Sequence, residues 1–127
     1  MDSAPGGGRR ILVVDADHRT RAWIRDRLCA WGFEVLEAET GREPPAVAVN
    51  GLILPIDGIL LDLHKPVPDG LAPLRAVQRL HPGVPVLVMS DTSNIQTARE
   101  AVNQGAQEYV LKPFDHELLK MKCLRVF

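Results

Sequence analysis

The stretch ILVVD, Ile11–Asp15, is apolar at four successive positions, mostly β-branched, and ends on a carboxylate. A run that is apolar at every position, not at every second one, reads as a strand covered on both faces, the pattern of a parallel sheet. Working outward, GILLD (Gly58–Asp62) and VLVMS (Val86–Ser90) repeat it, FEVLE (Phe33–Glu37) alternates as a second strand, and Tyr109–Leu111 is a short fifth. Between them the spacing turns helical. Ile24, Leu28 and Trp31 fall at i, i+4 and i+7 between His18 and Trp31, with Asp17 placed to cap the start and Gly32 to follow the end. Asp69–Leu80 carries Leu71, Leu74 and Val77 or Gln78 on one side and stops at His81-Pro82-Gly83. Asn94–Gln104 carries Ile95, Ala98 and Val102 and closes on Gly105. A last helix starts at Asp115, after Lys112-Pro113-Phe114. The helix due between the second and third strands falls in REPPAVAVNGLILP (Arg42–Pro55). There Pro44, Pro45, Gly51 and Pro55 predict a short or distorted element.

Strict alternation of strand and helix predicts an α/β fold: a doubly wound five-stranded parallel sheet with helices on both faces and right-handed crossovers. The 127 residues suit one domain, expected over 10–127, after a Gly/Pro/Ser-rich lead-in (1–9, MDSAPGGGR) expected to be disordered. Fifteen Lys+Arg against sixteen Asp+Glu leave a net charge of −1, which excludes steering of nucleic acid by net charge. A 46% hydrophobic, 24% charged composition excludes a disordered chain. No stretch has the roughly 18 apolar residues of a membrane span, and Met1–Gly8 has no apolar core of a signal peptide. Cys29 and Cys123, widely spaced, read as reduced thiols. The expectation is a cytoplasmic protein with no membrane or direct nucleic-acid partner.

Open parallel sheets bind ligands outside the carboxyl ends of their strands. Here those ends are Asp15, Asp62, Ser90 and Lys112: two carboxylates, a hydroxyl and an ammonium. Neighbouring carboxylates repel unless a cation sits between them. A hard divalent cation such as Mg²⁺ takes carboxylate oxygens and brings phosphate with it. Lysine and hydroxyl groups bind phosphoryl oxygens, and a carboxylate can itself be the nucleophile. The set points to Mg²⁺-assisted phosphorylation of an aspartate.

In ILVVDAD, LLDLHKPVPDG, VLVMS followed by NIQTAREAVNQGA, and YVLKPF, the chain resembles the response-regulator receiver domains of two-component signalling from Arg10 to its end. The resemblance implies a flavodoxin-like sheet in the order 2-1-3-4-5. It makes Asp62 the phospho-acceptor, Asp15 an acidic-pocket residue, Ser90 the switch hydroxyl, Tyr109 the rotating aromatic and Lys112 the phosphate-contacting lysine across a cis Lys112–Pro113 bond. The metal would lie on Asp15, Asp62 and the backbone carbonyl of His64, with Asp17 a further candidate. Such a module is not an enzyme beyond its own phosphorylation and dephosphorylation. A histidine kinase or phosphotransfer protein would supply the phosphoryl group, and an output domain or downstream protein, by analogy in transcription regulation, would read the result. A homodimer through the fourth helix, fifth strand and fifth helix of the alternation is compatible with it. A second resemblance, to haloacid-dehalogenase phosphatases, would make Asp15 the nucleophile and Asp17 the acid. It is opposed by Arg19, by the absence of an acidic pair after Lys112, and by leaving Asp62 idle.

Three positions depart from the receiver pattern. Ala16 stands where the family has a second acidic residue, so either Asp17 or water compensates or Mg²⁺ is held weakly. Lys65 lies where the family is apolar, as a solvated loop residue or as an ammonium replacing part of the metal's charge. Asp91 follows Ser90, as a helix cap or as a carboxylate hindering access. These departures motivate a rival: a receiver-fold binding module that works without phosphorylation. His64 reads as an exposed loop histidine. His18, His81 and His116 have no second ligand at metal-binding spacing. Trp23 and Trp31 read as packing residues of the first helix.

Overall fold

The computed structural model describes residues 5–40, 48–49, 52–53, 55–66 and 69–127. Five parallel strands make one sheet: β1 (Arg10–Val14), β2 (Glu34–Ala38), β5 (Gly58–Asp62), β6 (Val86–Ser90) and β7 (Glu108–Leu111). Their order is β2-β1-β5-β6-β7. With a separate pair, β3 (Ala48–Val49) and β4 (Leu52–Ile53), set aside, this is the expected 2-1-3-4-5 arrangement.

The continuous apolar runs are continuous because each strand faces two helical layers. Leu12, Val14, Ile59, Leu61, Val86 and Val88 point to one side, where α2 (Ala72–Leu80) contributes Leu74 and Val77 and α3 (Ile95–Asn103) contributes Ala98 and Ala101. Ile11, Val13, Leu60, Leu87 and Met89 point to the other, against Ile24 and Leu28 of α1 (His18–Ala30) and Leu119 and Cys123 of α4 (His116–Val126). Each fully buried Leu or Ile contributes about 1.5–3 kcal/mol. Loss of strand alternation is therefore a direct consequence of the double winding.

The helices begin where capping chemistry allows. Asp17 caps α1 by accepting from Thr20 N, and Asp115 caps α4 by accepting from Leu118 N. Short 3-10 turns at Asp69–Leu71 and Thr92–Asn94 precede α2 and α3, so both α-helices start later than the apolar spacing alone predicts. Gly105, at φ 111°, closes the turn after α3 in a conformation that side chains rarely adopt.

Two expectations change. The short or distorted second helix is corrected where the chain is described. Ala48–Val49 and Leu52–Ile53 pair antiparallel, Ala48 opposite Ile53 and Val49 opposite Leu52. The rest of that stretch, residues 42–47, 50, 51 and 54, lies outside the described residues. The lead-in is half accounted for: residues 1–4 lie outside the described residues, and the packed chain starts before Arg10. Gly6 N donates to Trp31 O (2.6 Å) and Gly8 N to Gly32 O (2.8 Å). A Cβ on Gly6 would come 2.6 Å from the Gly32 carbonyl carbon, so only glycine fits that approach. At the same end of the molecule Phe127 meets Phe33 edge to face, and its ring fills the space beside Gly58.

Candidate active site at the carboxyl edge of the sheet

Asp15 follows β1, Asp62 ends β5 and Lys112 follows β7. The parallel register brings the first two together, since Val14 lies opposite Leu61. Lys112 joins them: its Nζ donates to Asp15 Oδ2 at 2.7 Å and to Asp62 Oδ1 at 2.9 Å. The lysine side chain is 23% exposed, against 2% for Asp15 and 13% for Asp62. Lys112–Pro113 is cis, as the resemblance implied.

The three groups sum to one negative charge. Burial pushes the Asp62 carboxyl above its ordinary range, the Lys112 ammonium opposes that rise, and the Asp15 charge adds to it. Burial alone would lower the Lys112 pKa, but hydrogen bonds and charge from both carboxylates outweigh it, so the ammonium is held more firmly protonated than usual.

Asp15 is fixed from behind. Its Oδ1 accepts from Asp17 N (2.9 Å), and its carbonyl accepts from Arg21 Nη1 (2.8 Å). Arg21 also donates to Glu37 Oε1 of β2. The Arg21 side chain is only 11% exposed. A long-range contact of this kind leaves no local signal. An open cavity of about 440 Å³ lies before the carboxylates, lined among others by Ala16, His64, Lys65 and Asp69.

Other predicted residues stand further off. The Asp17 side chain caps α1 by accepting from Thr20, which lowers its pKa. Ser90 is fully buried, but its hydroxyl donates to the Asp91 carbonyl (2.9 Å) and not to the acidic pair. Tyr109 is half-buried, with Lys122 Nζ 5.2 Å from its ring centroid. The His64 imidazole is exposed, with Nδ1 3.6 Å from Asp62 Oδ2. Asp91 acts as the cap of the pair of expectations: its Oδ1 accepts from Ser93 Oγ (2.6 Å) and Asn94 N (3.2 Å), which lowers its pKa. The bridging ammonium belongs to Lys112, while Lys65 is exposed at the cavity's rim. Trp23 stacks on Phe114 and Trp31 is buried, so both pack.

The donors present suit Mg²⁺, which is commonly held by one or two carboxylates with waters and phosphate completing its shell. Asp15 and Asp62 supply two carboxylates beside an open cavity. No cluster of three or more His, Cys, Asp or Glu side chains able to hold a metal occurs among the described residues.

A doubly wound 2-1-3-4-5 sheet with two aspartates and a lysine at its carboxyl edge is the architecture of a phosphoacceptor signalling module. The family model of the response regulator receiver domain matches residues 11–123, and the chain belongs to that family of two-component signalling domains. It is 34% identical over 110 residues to the transcriptional regulatory protein ZraR of Escherichia coli, covering 87% of this chain and 24% of ZraR. The chain thus spans about a quarter of the length of the curated relatives it matches. Among solved structures, NtrX of Brucella abortus superposes with a TM-score of 0.77 at 30% identity over 94% of this chain and 27% of NtrX. The chemotaxis protein CheY4 of Vibrio cholerae gives 0.73 at 26% identity over 94% and 98%. Receiver domains are signalling modules, not catalytic enzymes; they generally bind Mg²⁺ at the acidic pocket and work with histidine kinases and output domains. Among the described residues no helix is long and apolar enough to cross a membrane.

Proposed function

We propose that Asp62 accepts a phosphoryl group from a phosphohistidine of a kinase or phosphotransfer protein, and that an output domain or downstream protein reads the change. The observation that carries this reading is the Lys112 ammonium bridging Asp15 and Asp62 before an open cavity. An Asp62 carboxylate oxygen attacks phosphorus, an O–P bond forms, the P–N bond breaks, and the imidazole nitrogen keeps the electron pair. Asp15, Asp62 and the His64 carbonyl are the residues that would hold Mg²⁺, which supplies charge neutralisation for the phosphoryl oxygens. Lys112 is placed to leave Asp62 Oδ1 for a phosphoryl oxygen while keeping Asp15 Oδ2. Ser90, on the neighbouring strand end, follows by turning its hydroxyl from the Asp91 carbonyl toward the new charge. Tyr109 then moves with it.

Ala16 offers no ligand and Asp17 is engaged as a cap, so the metal is held by fewer charges than the family pattern supplies. The test is incubation with acetyl phosphate and Mg²⁺ followed by intact mass. One phosphoryl group is expected on the wild type and none on Asp62→Ala. No adduct on the wild type, or an equal one on the variant, would overturn the assignment. The missing third carboxylate also favours a second reading, a phosphorylation-independent binding module. A Mg²⁺ titration without saturation at millimolar concentration would bring that reading forward.

A further inference from the structure

The segment between β5 and α2 carries His64, whose carbonyl the proposed function places on the metal, and it is held at three points. Leu63 N donates to Met89 O of β6 (2.8 Å). Thr97 Oγ1 of α3 donates to the Lys65 carbonyl (2.8 Å) across 32 residues. Gly70 N donates to Pro66 O (2.8 Å), and Gly70 sits so close that a Cβ there would lie 2.0 Å from Lys65 O and 2.8 Å from Thr97 Cγ2. Thr97 is 1% exposed. A threonine within a helix ordinarily turns its hydroxyl to water or to a carbonyl one turn back. This one donates instead to the loop beside the acceptor. The Lys65 carbonyl lies in the peptide plane next to the one that carries the His64 carbonyl, so anchoring it limits how far the chain can swing at Lys65, between the anchored Leu63 N and Lys65 O.

We propose that Thr97 is a positioning residue for the Mg²⁺ site. It acts through the Lys65 carbonyl, and so ties the metal side of the Asp62 loop to α3, the helix that follows Ser90. The inference rests on the reading of Asp15, Asp62 and the His64 carbonyl as the metal's oxygen ligands. It adds a residue far from the acidic pair in sequence and gives α3 a direct mechanical hold on it. The chemistry is that of groups standing behind metal ligands, whose removal typically weakens metal binding by about 10–100-fold. With few carboxylates in the site, the placement of a neutral carbonyl carries more weight.

The experiment is a Mg²⁺ titration of the unphosphorylated chain, followed by the amide resonances of Asp62–Lys65, for wild type, Thr97→Val and Thr97→Ser. Valine keeps the shape and loses the donor; serine keeps the donor. The expected result is a Mg²⁺ dissociation constant raised about tenfold in Thr97→Val and within about twofold of wild type in Thr97→Ser. The phosphorylation rate with acetyl phosphate at saturating Mg²⁺ stays within about twofold, so the change appears in half-saturation and not in maximal rate. Gly70→Ala, whose Cβ would crowd both the Lys65 carbonyl and Thr97 Cγ2, weakens Mg²⁺ in the same direction and serves if the valine variant does not fold. Equal Mg²⁺ affinity in wild type and Thr97→Val, equal weakening by serine and valine, or no saturable Mg²⁺ binding in the wild type overturns the proposal. A missing adduct on Asp62 with the Mg²⁺ differences intact overturns the phosphoacceptor reading instead.

Discussion

Lys112→Met removes the ammonium between Asp15 and Asp62 while keeping most of the side chain's length. The Nζ stands 2.7 and 2.9 Å from the two carboxylate oxygens, and its loss leaves both acids facing each other in a site where their side chains are 2% and 13% exposed. Breaking a buried ion pair by deleting one partner costs about 3–5 kcal/mol. Since the lysine is 23% exposed, part of that penalty is screened by water, and about 2–3 kcal/mol is expected at neutral pH. For a domain of this size that is a fall in Tm of about 10 °C.

The pH dependence follows from the direction of the Asp62 shift. Its folded-state pKa is already raised by burial, with Lys112 as the main opposing influence. In the variant it rises further. A carboxyl with a raised folded pKa destabilises the fold when ionised, fully above that pKa, and the penalty fades as pH falls toward the ordinary value of 3.8. Urea denaturation in EDTA should therefore show the full deficit at pH 7.5 and a much smaller one at pH 4.5. Lys112→Met/Asp62→Asn should recover most of the loss at pH 7.5. The reasoning fails if the variant matches wild type at pH 7.5, or if its deficit is the same at pH 4.5 and in the double variant.

Ala16→Asp should restore a third carboxylate beside Asp15 and tighten Mg²⁺ by about tenfold in a calorimetric titration; unchanged affinity would mean that position 16 does not face the metal. Asp115→Ala removes the oxygen that caps α4 at Leu118 N and should lower the urea-derived stability by about 1 kcal/mol, with Asp115→Asn retaining most of it. At pH 8 a thiol reagent should label Cys29, which is exposed, at once. Cys123 is buried, with its thiol pushed up to about 12, and should react only at the rate of unfolding; two fast thiols would contradict the packing of α4. The Asp91 cap has a lowered folded pKa, so its contribution is present above the ordinary carboxylate value and is lost as pH falls through the lowered one. The acid limb of the melting curve should flatten in Asp91→Ala.

The features legible in the chain are those with a local cause. Four strand-end residues could be picked out because a double-wound sheet makes its strands apolar to the last position, so Asp15 and Asp62 stand out against ILVV and GILL. The caps at Asp17 and Asp115 were visible for the same reason: the donors they satisfy lie three residues away. In Arg42–Pro55 the pair Pro44-Pro45 and the breakers Gly51 and Pro55 carry the expectation of a short or distorted helix. Asn-Gly between apolar residues is also a strong short signal for strand pairing across it, and Val49 pairs antiparallel with Leu52. What local sequence does not reveal has partners distant in the chain: Thr97 on Lys65 and Arg21 on the Asp15 carbonyl.

Which lysine bridges the two acids bears on how the site can work. Lys65, three residues from Asp62, reads either as a solvated loop lysine or as a charge replacing part of the metal's, and it is exposed. Lys112, 50 residues away, is the group that holds both carboxylates. With only two acids present, one ammonium is enough to bring the triad to a single negative charge, and Lys112 already engages one oxygen of each carboxylate, which weakens their pull on an arriving divalent cation. Phosphoryl transfer to Asp62 would change that balance. The new dianionic group gives Lys112 a better partner than Asp62 Oδ1, and adds phosphoryl oxygens of its own for the metal. Mg²⁺ should therefore bind far more tightly in the presence of beryllofluoride, a phosphoryl mimic, than alone. Equal Mg²⁺ affinity with and without beryllofluoride would show that Lys112 does not compete with the metal for these two aspartates.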